Sequence, residues 1–86
     1  MKKINLTAIK LRPSLAAPEV EQNLAKEIGD AIYRNSKSIA ELRFGQRLYD
    51  AEGEIEVSDE EIGFIKAVLQ GFFYWAQEAV LKAMGE

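Results

Sequence analysis

Hydrophobic and polar residues alternate near the start of the chain, over residues 3–11, where Ile4 and Leu6 lie on the same side. A period of two is typical of a β-strand, so we predict a strand here that ends before Pro13. A second alternating segment, 54–57, is too short to be stable alone. We predict that it pairs with the N-terminal strand in a minimal two-stranded sheet.

Between these two strands the apolar spacing changes to that of helices. Apolar residues recur at every fourth position through residues 18–34, which predicts a first helix. A second helix is predicted over 39–50, because Ser38 and Glu41 have the spacing of a capping box at its start.

The third predicted helix is the longest and covers residues 59–84, with Ser58 and Glu61 as a second capping box. Its first half is apolar on one side, whereas its second half is apolar around most of its circumference. At ~1.5 Å per residue it would be about 39 Å long, which exceeds the core of so small a chain. The expected fold is α+β, in the order β-α-α-β-α, as one domain over 1–86.

The second half of this long helix is the candidate interaction site. Successive helical residues step about 100° around the axis, so the four aromatic residues 72–75 would point in four directions. The simplest partner that could cover them is a second copy in a two-fold dimer. We therefore expect a homodimer, or a complex with another protein. The candidate interaction residues are Phe73, Tyr74, Trp75, Val80, Leu81 and Met84. The alternative is that all four aromatic residues lie in the core of one monomer.

The composition narrows the possible chemistry. The chain contains no cysteine and no histidine, which excludes disulfides, thiolate nucleophiles and the commonest general base. It also contains no phosphate-binding glycine motif and no nucleophile elbow. We therefore expect no enzymatic activity, no catalytic residue, no metal site and no cofactor.

The net charge and the apolar runs bear on partners and location. The formal net charge is −3, which disfavours binding to a phosphate backbone. No apolar run approaches the roughly 18 residues that span a bilayer, and the first residues lack the apolar segment of a signal peptide. We expect a cytoplasmic protein that binds neither nucleic acid nor membrane.

Two local patterns leave alternative functions open. Residues 50–61 place acidic side chains at the first, third, fifth and last positions of a calcium loop, although Ile55 stands where that loop has glycine. Arg43 and Arg47 share a face of the second helix, which would contact DNA in a helix-turn-helix. The alternatives are thus a calcium-responsive EF-hand-like module and a DNA-binding regulator.

The middle of the chain also resembles a known group of proteins. The segments GDAIY at 29–33, LYD at 48–50 and GEIEVSDEE at 53–61 look like small bacteriophage- and prophage-associated proteins of gut Bacteroides-type bacteria. The resemblance covers roughly residues 28–65 and carries no activity or site residues. It implies a phage or mobile-element context, in which a small protein assembles with itself or with a morphogenesis partner.

Overall fold

Helices and short strands alternate irregularly in the computed structural model, which describes residues 2–85 and has the expected α+β class. The strands are β1 (Lys2–Ile4), β2 (Ile9–Leu11), β3 (Val20–Gln22) and β4 (Ile55–Val57). The helices are α1 (Ala25–Arg34), α2 (Ile39–Tyr49), α3 (Asp59–Leu69) and α4 (Tyr74–Ala83).

The strands form two separate antiparallel pairs. In the first pair β1 lies beside β4, with Ile4 opposite Ile55, which confirms the predicted pairing of the N-terminal strand with segment 54–57. In the second pair β2 lies beside β3, with Leu11 opposite Val20. The sequence patterns did not predict this second pair.

The predicted strand over 3–11 is in fact two strands separated by a turn. The Asn5 side-chain carbonyl accepts hydrogen bonds from the Thr7 N–H at 2.9 Å and the Thr7 hydroxyl at 2.6 Å. An Asn side chain that bonds the backbone two residues on gives a turn in place of extended pairing. Leu6, inside this turn, is buried, and its carbonyl accepts the N–H groups of Leu24 and Ala25. The turn therefore holds the start of α1.

The first helix begins at Ala25, so the prediction of a helix over 18–34 was wrong for residues 18–24. Val20 does not continue the apolar stripe of α1 but pairs with β2 and stays exposed. The Asn23 side chain then accepts the Ala25 N–H at 3.0 Å and marks the helix start. Extended pairing with a neighbouring strand overrides the weak helical preference of this segment.

The predicted helix over 59–84 is also wrong as a single element, because the chain bends between α3 and α4. Leu69 and Val68 accept the N–H groups of Phe72 and Gly71 at 2.9 and 3.2 Å, which tightens and ends α3. Phe73 is extended, with φ −61° and ψ 149°. Among residues 2–85, no helix combines the length and the apolar character that crossing a membrane requires.

The core lies between the helices and the two sheets. It draws on every element except β3, and α4 packs against β2. Its largest fully buried members are Phe44, Ile4, Leu6, Ile9, Ile28, Ile32, Leu48, Ile65, Leu69, Met84, Val57 and Val80. Because both halves of the predicted long helix contribute to this list, the bend brings α4 back onto the same core as α3.

Candidate functional site: an exposed aromatic cluster

The bend between α3 and α4 carries three aromatic side chains, Phe73, Tyr74 and Trp75, which we call the aromatic cluster. The bend is held by its own hydrogen bonds. The Phe73 carbonyl accepts the N–H groups of Ala76 and Gln77, and the Gln77 side chain donates to the Phe72 carbonyl at 2.9 Å. The cluster therefore sits on a defined helix start.

The aromatic cluster is exposed to solvent. Phe73 is 74% exposed, Tyr74 is 87% exposed and Trp75 is 39% exposed. The rings of Phe73 and Trp75 stack at 5.8 Å between centroids, with 12° between their planes. Two stacked rings and a neighbouring tyrosine form an apolar surface that one protomer does not cover.

The residue type at the start of α4 is unfavourable for the monomer. The N-cap position prefers Ser, Thr, Asp or Asn, whose side-chain oxygen accepts a free backbone N–H. Ser38 and Ser58 make this bond at the starts of α2 and α3. The N-cap of α4 is Phe73, which makes no side-chain cap bond. An exposed phenylalanine here contributes little to the fold of one protomer.

The structure corrects two of the predicted interaction residues. Val80 and Met84 are 0% and 1% exposed and belong to the core, because the bend turns that side of α4 inward. Leu81 is half-buried and packs against the core. Phe72, the first aromatic residue of the run, is half-buried as well. The aromatic run 72–75 is therefore neither wholly exposed for a partner nor wholly buried in the core of one monomer.

A groove lies between the start of α2 and the end of α3, and we call it the α2–α3 groove. Its volume is about 430 Å³. Phe64, Ala67 and Val68 form its apolar wall, and Gly71 also lines it. Lys37 and Glu41 lie on its other side. Groove and cluster are therefore neighbours on the chain, two residues apart.

The close crossing of α1 and α2 is a second feature, and the sequence patterns had not predicted it. A Cβ atom on Gly29 would lie 2.7 Å from the Tyr49 nitrogen, and one on Gly45 would lie 2.8 Å from the Tyr33 nitrogen. The two helices thus touch backbone to backbone at these glycines. A signal was present, since each helix carries glycine followed four residues later by tyrosine.

The two tyrosines stand half-exposed over a groove of about 330 Å³ at this crossing. The Lys26 ammonium lies 4.4 Å from the centre of the Tyr49 ring and 3.4 Å from the Tyr49 carbonyl oxygen. The protein's own lysine therefore covers one face of the Tyr49 ring, in the geometry of a cation–π contact.

Residues 50–61, the calcium-loop pattern, have another structure. Residues 55–57 are strand β4, and Ile55 pairs with Ile4. Glu61 accepts the Ser58 N–H at 2.8 Å while the Ser58 hydroxyl accepts the Glu61 N–H, which is the complete capping box. In the part of the chain that the structure describes, no three acidic side chains converge as a metal site would require.

The two arginines of α2 differ in their surroundings. Arg47 donates to Glu61 at 3.1 Å and to the Glu56 carbonyl at 3.0 Å, and it lies 5.2 Å from the Phe44 ring centre. Arg43 is exposed one turn earlier. Arg47 thus links α2 to β4 and α3, and the two arginines do not form a shared free basic face.

The chain matches no protein-family model, no curated protein and no solved structure. The function is therefore inferred from the residues at the protein's own surface.

Proposed function

We propose that this protein is a non-enzymatic interaction module that associates with a second copy of itself through the aromatic cluster. The observation that carries the proposal is Phe73, an aromatic residue that is 74% exposed at a helix start where a polar cap would stabilise the monomer. Residues that break a local rule without a gain inside the fold mark functional sites.

The size and chemistry of the cluster support a protein partner. Aromatic side chains are the most enriched residues at the energetic centres of protein interfaces, since they bury large area with few rotatable bonds. The cluster itself contains no charged residue, and the first turn of α4 contains no acidic one. Burying a ring from water contributes about 2 kcal/mol, so a few rings determine association.

A second copy is the simplest partner that the chain offers. A two-fold dimer buries two clusters, one from each protomer, without any other component. The resemblance of residues 28–65 to phage-associated proteins fits an assembly role of this kind. The absence of cysteine and histidine supports a role without catalysis, in the cytoplasm.

Sedimentation equilibrium over a wide concentration range tests the proposal. The wild-type chain is expected to dimerise, and the double substitution Phe73→Ser with Tyr74→Ser is expected to raise the dimer Kd at least about tenfold. The control is Leu15→Ser, because Leu15 is 88% exposed and lies outside the cluster.

Two results would overturn the proposal. One is a wild-type chain that stays monomeric at millimolar concentration. The other is a dimer that Leu15→Ser weakens as much as the double substitution does, since exposed apolar area in general, and not the cluster, would then cause association.

A further inference from the structure

The groove at the crossing of α1 and α2, which we call the α1–α2 groove, is lined by two tyrosines and two glycines. Gly29 lies against the backbone of Tyr49, and Gly45 lies against the backbone of Tyr33, so the two tyrosines stand at diagonal corners of the crossing. Each of them is 45% exposed. We propose that this groove binds an organic cation of the quaternary ammonium class, at a site separate from the aromatic cluster.

The two tyrosine rings are the first reason for a cation. The face of a tyrosine ring carries negative potential and attracts ammonium groups. The structure contains one such contact, since the Lys26 ammonium lies 4.4 Å from the centre of the Tyr49 ring. The Tyr33 side chain makes no hydrogen bond and no ring contact with the other described residues, 2–85. Its ring is therefore free to contact a cation that enters the groove.

The charge of the lining is the second reason. The groove is lined by the carboxylates of Asp30 and Asp50, and by no lysine or arginine of the described chain. Asp30 lies 3.8 Å from Arg34, but both side chains are more than half exposed, and exposed pairs of this kind contribute little. The lining therefore favours a positively charged ligand over a neutral or negative one.

Asp50 is the lining residue that the fold itself explains least. It is the C-cap of α2, where the helix macrodipole is negative and a carboxylate is unfavourable. It forms no ion pair within the range that the structure describes. A residue that breaks a local rule without a gain inside the fold marks a functional site, and a bound cation would supply the missing counter-charge.

The dimensions of the groove fit a small organic group. Its volume is about 330 Å³, at the lower end of the range for small-molecule sites. A metal ion would need several converging acidic side chains, and residues 2–85 contain no group of three that could hold one. The rings therefore determine the class of ligand, and rings select organic cations.

An NMR titration of the wild-type chain with choline tests the site, because choline carries a quaternary ammonium group. The control ligand is its neutral isostere, in which a tert-butyl group replaces the trimethylammonium group. Choline is expected to shift the backbone amide signals of Gly29 and Gly45 with a Kd on the order of 1–10 mM. The isostere should bind at least about tenfold more weakly, since it lacks the charge that the rings and carboxylates attract.

Three variants locate the binding. Tyr33→Leu should raise the Kd for choline at least about fivefold, because one ring is lost. Tyr74→Leu is the matched control, since Tyr74 is an exposed tyrosine outside the groove, and it should leave the Kd unchanged. Asp50→Asn should raise the Kd about threefold. Removing a carboxylate from the C-cap does not weaken α2, so this variant decides the question if Tyr33→Leu fails to fold.

A pair of peptides identifies the source of the cation. One peptide contains trimethyl-lysine, and the other contains unmodified lysine at the same position. Tighter binding of the trimethyl-lysine peptide than of choline would assign the cation to a side chain of a protein partner. Binding no tighter than that of choline would assign it to a free small molecule.

Three results would overturn the proposal: choline that causes no saturable shift, a neutral isostere that binds as tightly as choline, or Tyr33→Leu and Asp50→Asn variants that bind choline like the wild type. None of these measurements depends on dimer formation. The cation site and the proposed function can therefore fail separately.

Discussion

Glycine lies at two junctions between helices of this protein, the crossing of α1 and α2 and the bend between α3 and α4, but its surroundings there are opposite. At the crossing of α1 and α2, Gly29 and Gly45 let two backbones touch, and a Cβ on either would collide with backbone atoms. At the bend between α3 and α4, Gly71 has space around it, and three aromatic side chains follow it into solvent. Gly29 and Gly45 are buried within the protomer, whereas Phe73 and Tyr74 are exposed to solvent.

This difference helps to separate residues that serve the fold from residues that serve a partner. At the α1–α2 crossing, the two glycines meet backbone of the same chain and Tyr49 contacts Lys26. The aromatic cluster has only the stacking of Phe73 on Trp75, and its helix start lacks a polar cap. A contiguous exposed apolar patch is the kind of surface at which interaction sites occur.

The largest expected effect comes from the last core residue before the bend. Leu69→Ala should lower the free energy of unfolding by about 3 kcal/mol, because Leu69 is buried and the substitution leaves a cavity. Leu15→Ala, at an exposed site, should change it by less than about 0.5 kcal/mol. Urea unfolding at low protein concentration measures both. Equal effects would show that α3 does not pack as described.

The second prediction concerns the glycine crossing. Gly29→Ala should destabilise the protein by about 2 kcal/mol, since the added Cβ would lie 2.7 Å from a backbone nitrogen and force the helices apart. Gly63→Ala is the matched control, because Gly63 lies in α3 with nothing within 4 Å of an added Cβ. That change should stabilise the helix by about 0.5–1 kcal/mol. A Gly29→Ala variant that is as stable as the wild type, or more stable, would contradict the close crossing.

A third prediction uses the capping box of α3. Ser58→Ala should cost about 1 kcal/mol, since the Glu61 N–H would lose the hydroxyl that accepts its hydrogen bond. Ser14→Ala, at an exposed loop position, serves as control and should be nearly neutral. Thermal melting of both variants under identical conditions measures the difference, and a neutral Ser58→Ala would mean that the box does not stabilise α3.

The smallest expected change in stability has the opposite sign. Phe73→Ser should leave the monomer as stable as the wild type or stabilise it by about 0.5 kcal/mol, because serine at the N-cap accepts a backbone N–H while the lost ring was exposed. The measurement is unfolding at concentrations below the dimer Kd. A loss above about 2 kcal/mol would assign Phe73 to the fold of the monomer.

Two features of the fold were predicted correctly from sequence patterns. The capping box at Ser58 and the pairing of 54–57 with the N-terminal strand were both predicted and are both present. The capping box follows from short-range spacing, which a sequence displays directly. The strand pairing joins distant segments, and it was predicted because both segments alternate and the shorter one is not stable alone.

The parts that were not predicted depend on distant contacts. Val20 has a helical spacing to Leu24, yet its pairing with β2 decides its conformation. Gly71 lowers helix stability by only about 1 kcal/mol, so the bend is decided by the burial of Val80 and Met84 in the core. For the same reason two of the six predicted interaction residues, Val80 and Met84, lie in the core instead of on the surface.

Trp75 offers the most direct test of self-association through the aromatic cluster, since it is the only tryptophan of the chain and stacks on Phe73. Its fluorescence emission is measured over a dilution series of the wild-type protein from nanomolar to millimolar concentration. The account predicts that the emission shifts to shorter wavelength, and that quenching by acrylamide decreases, over the same concentrations at which dimers form. A spectrum and a quenching constant that do not change with concentration would contradict it.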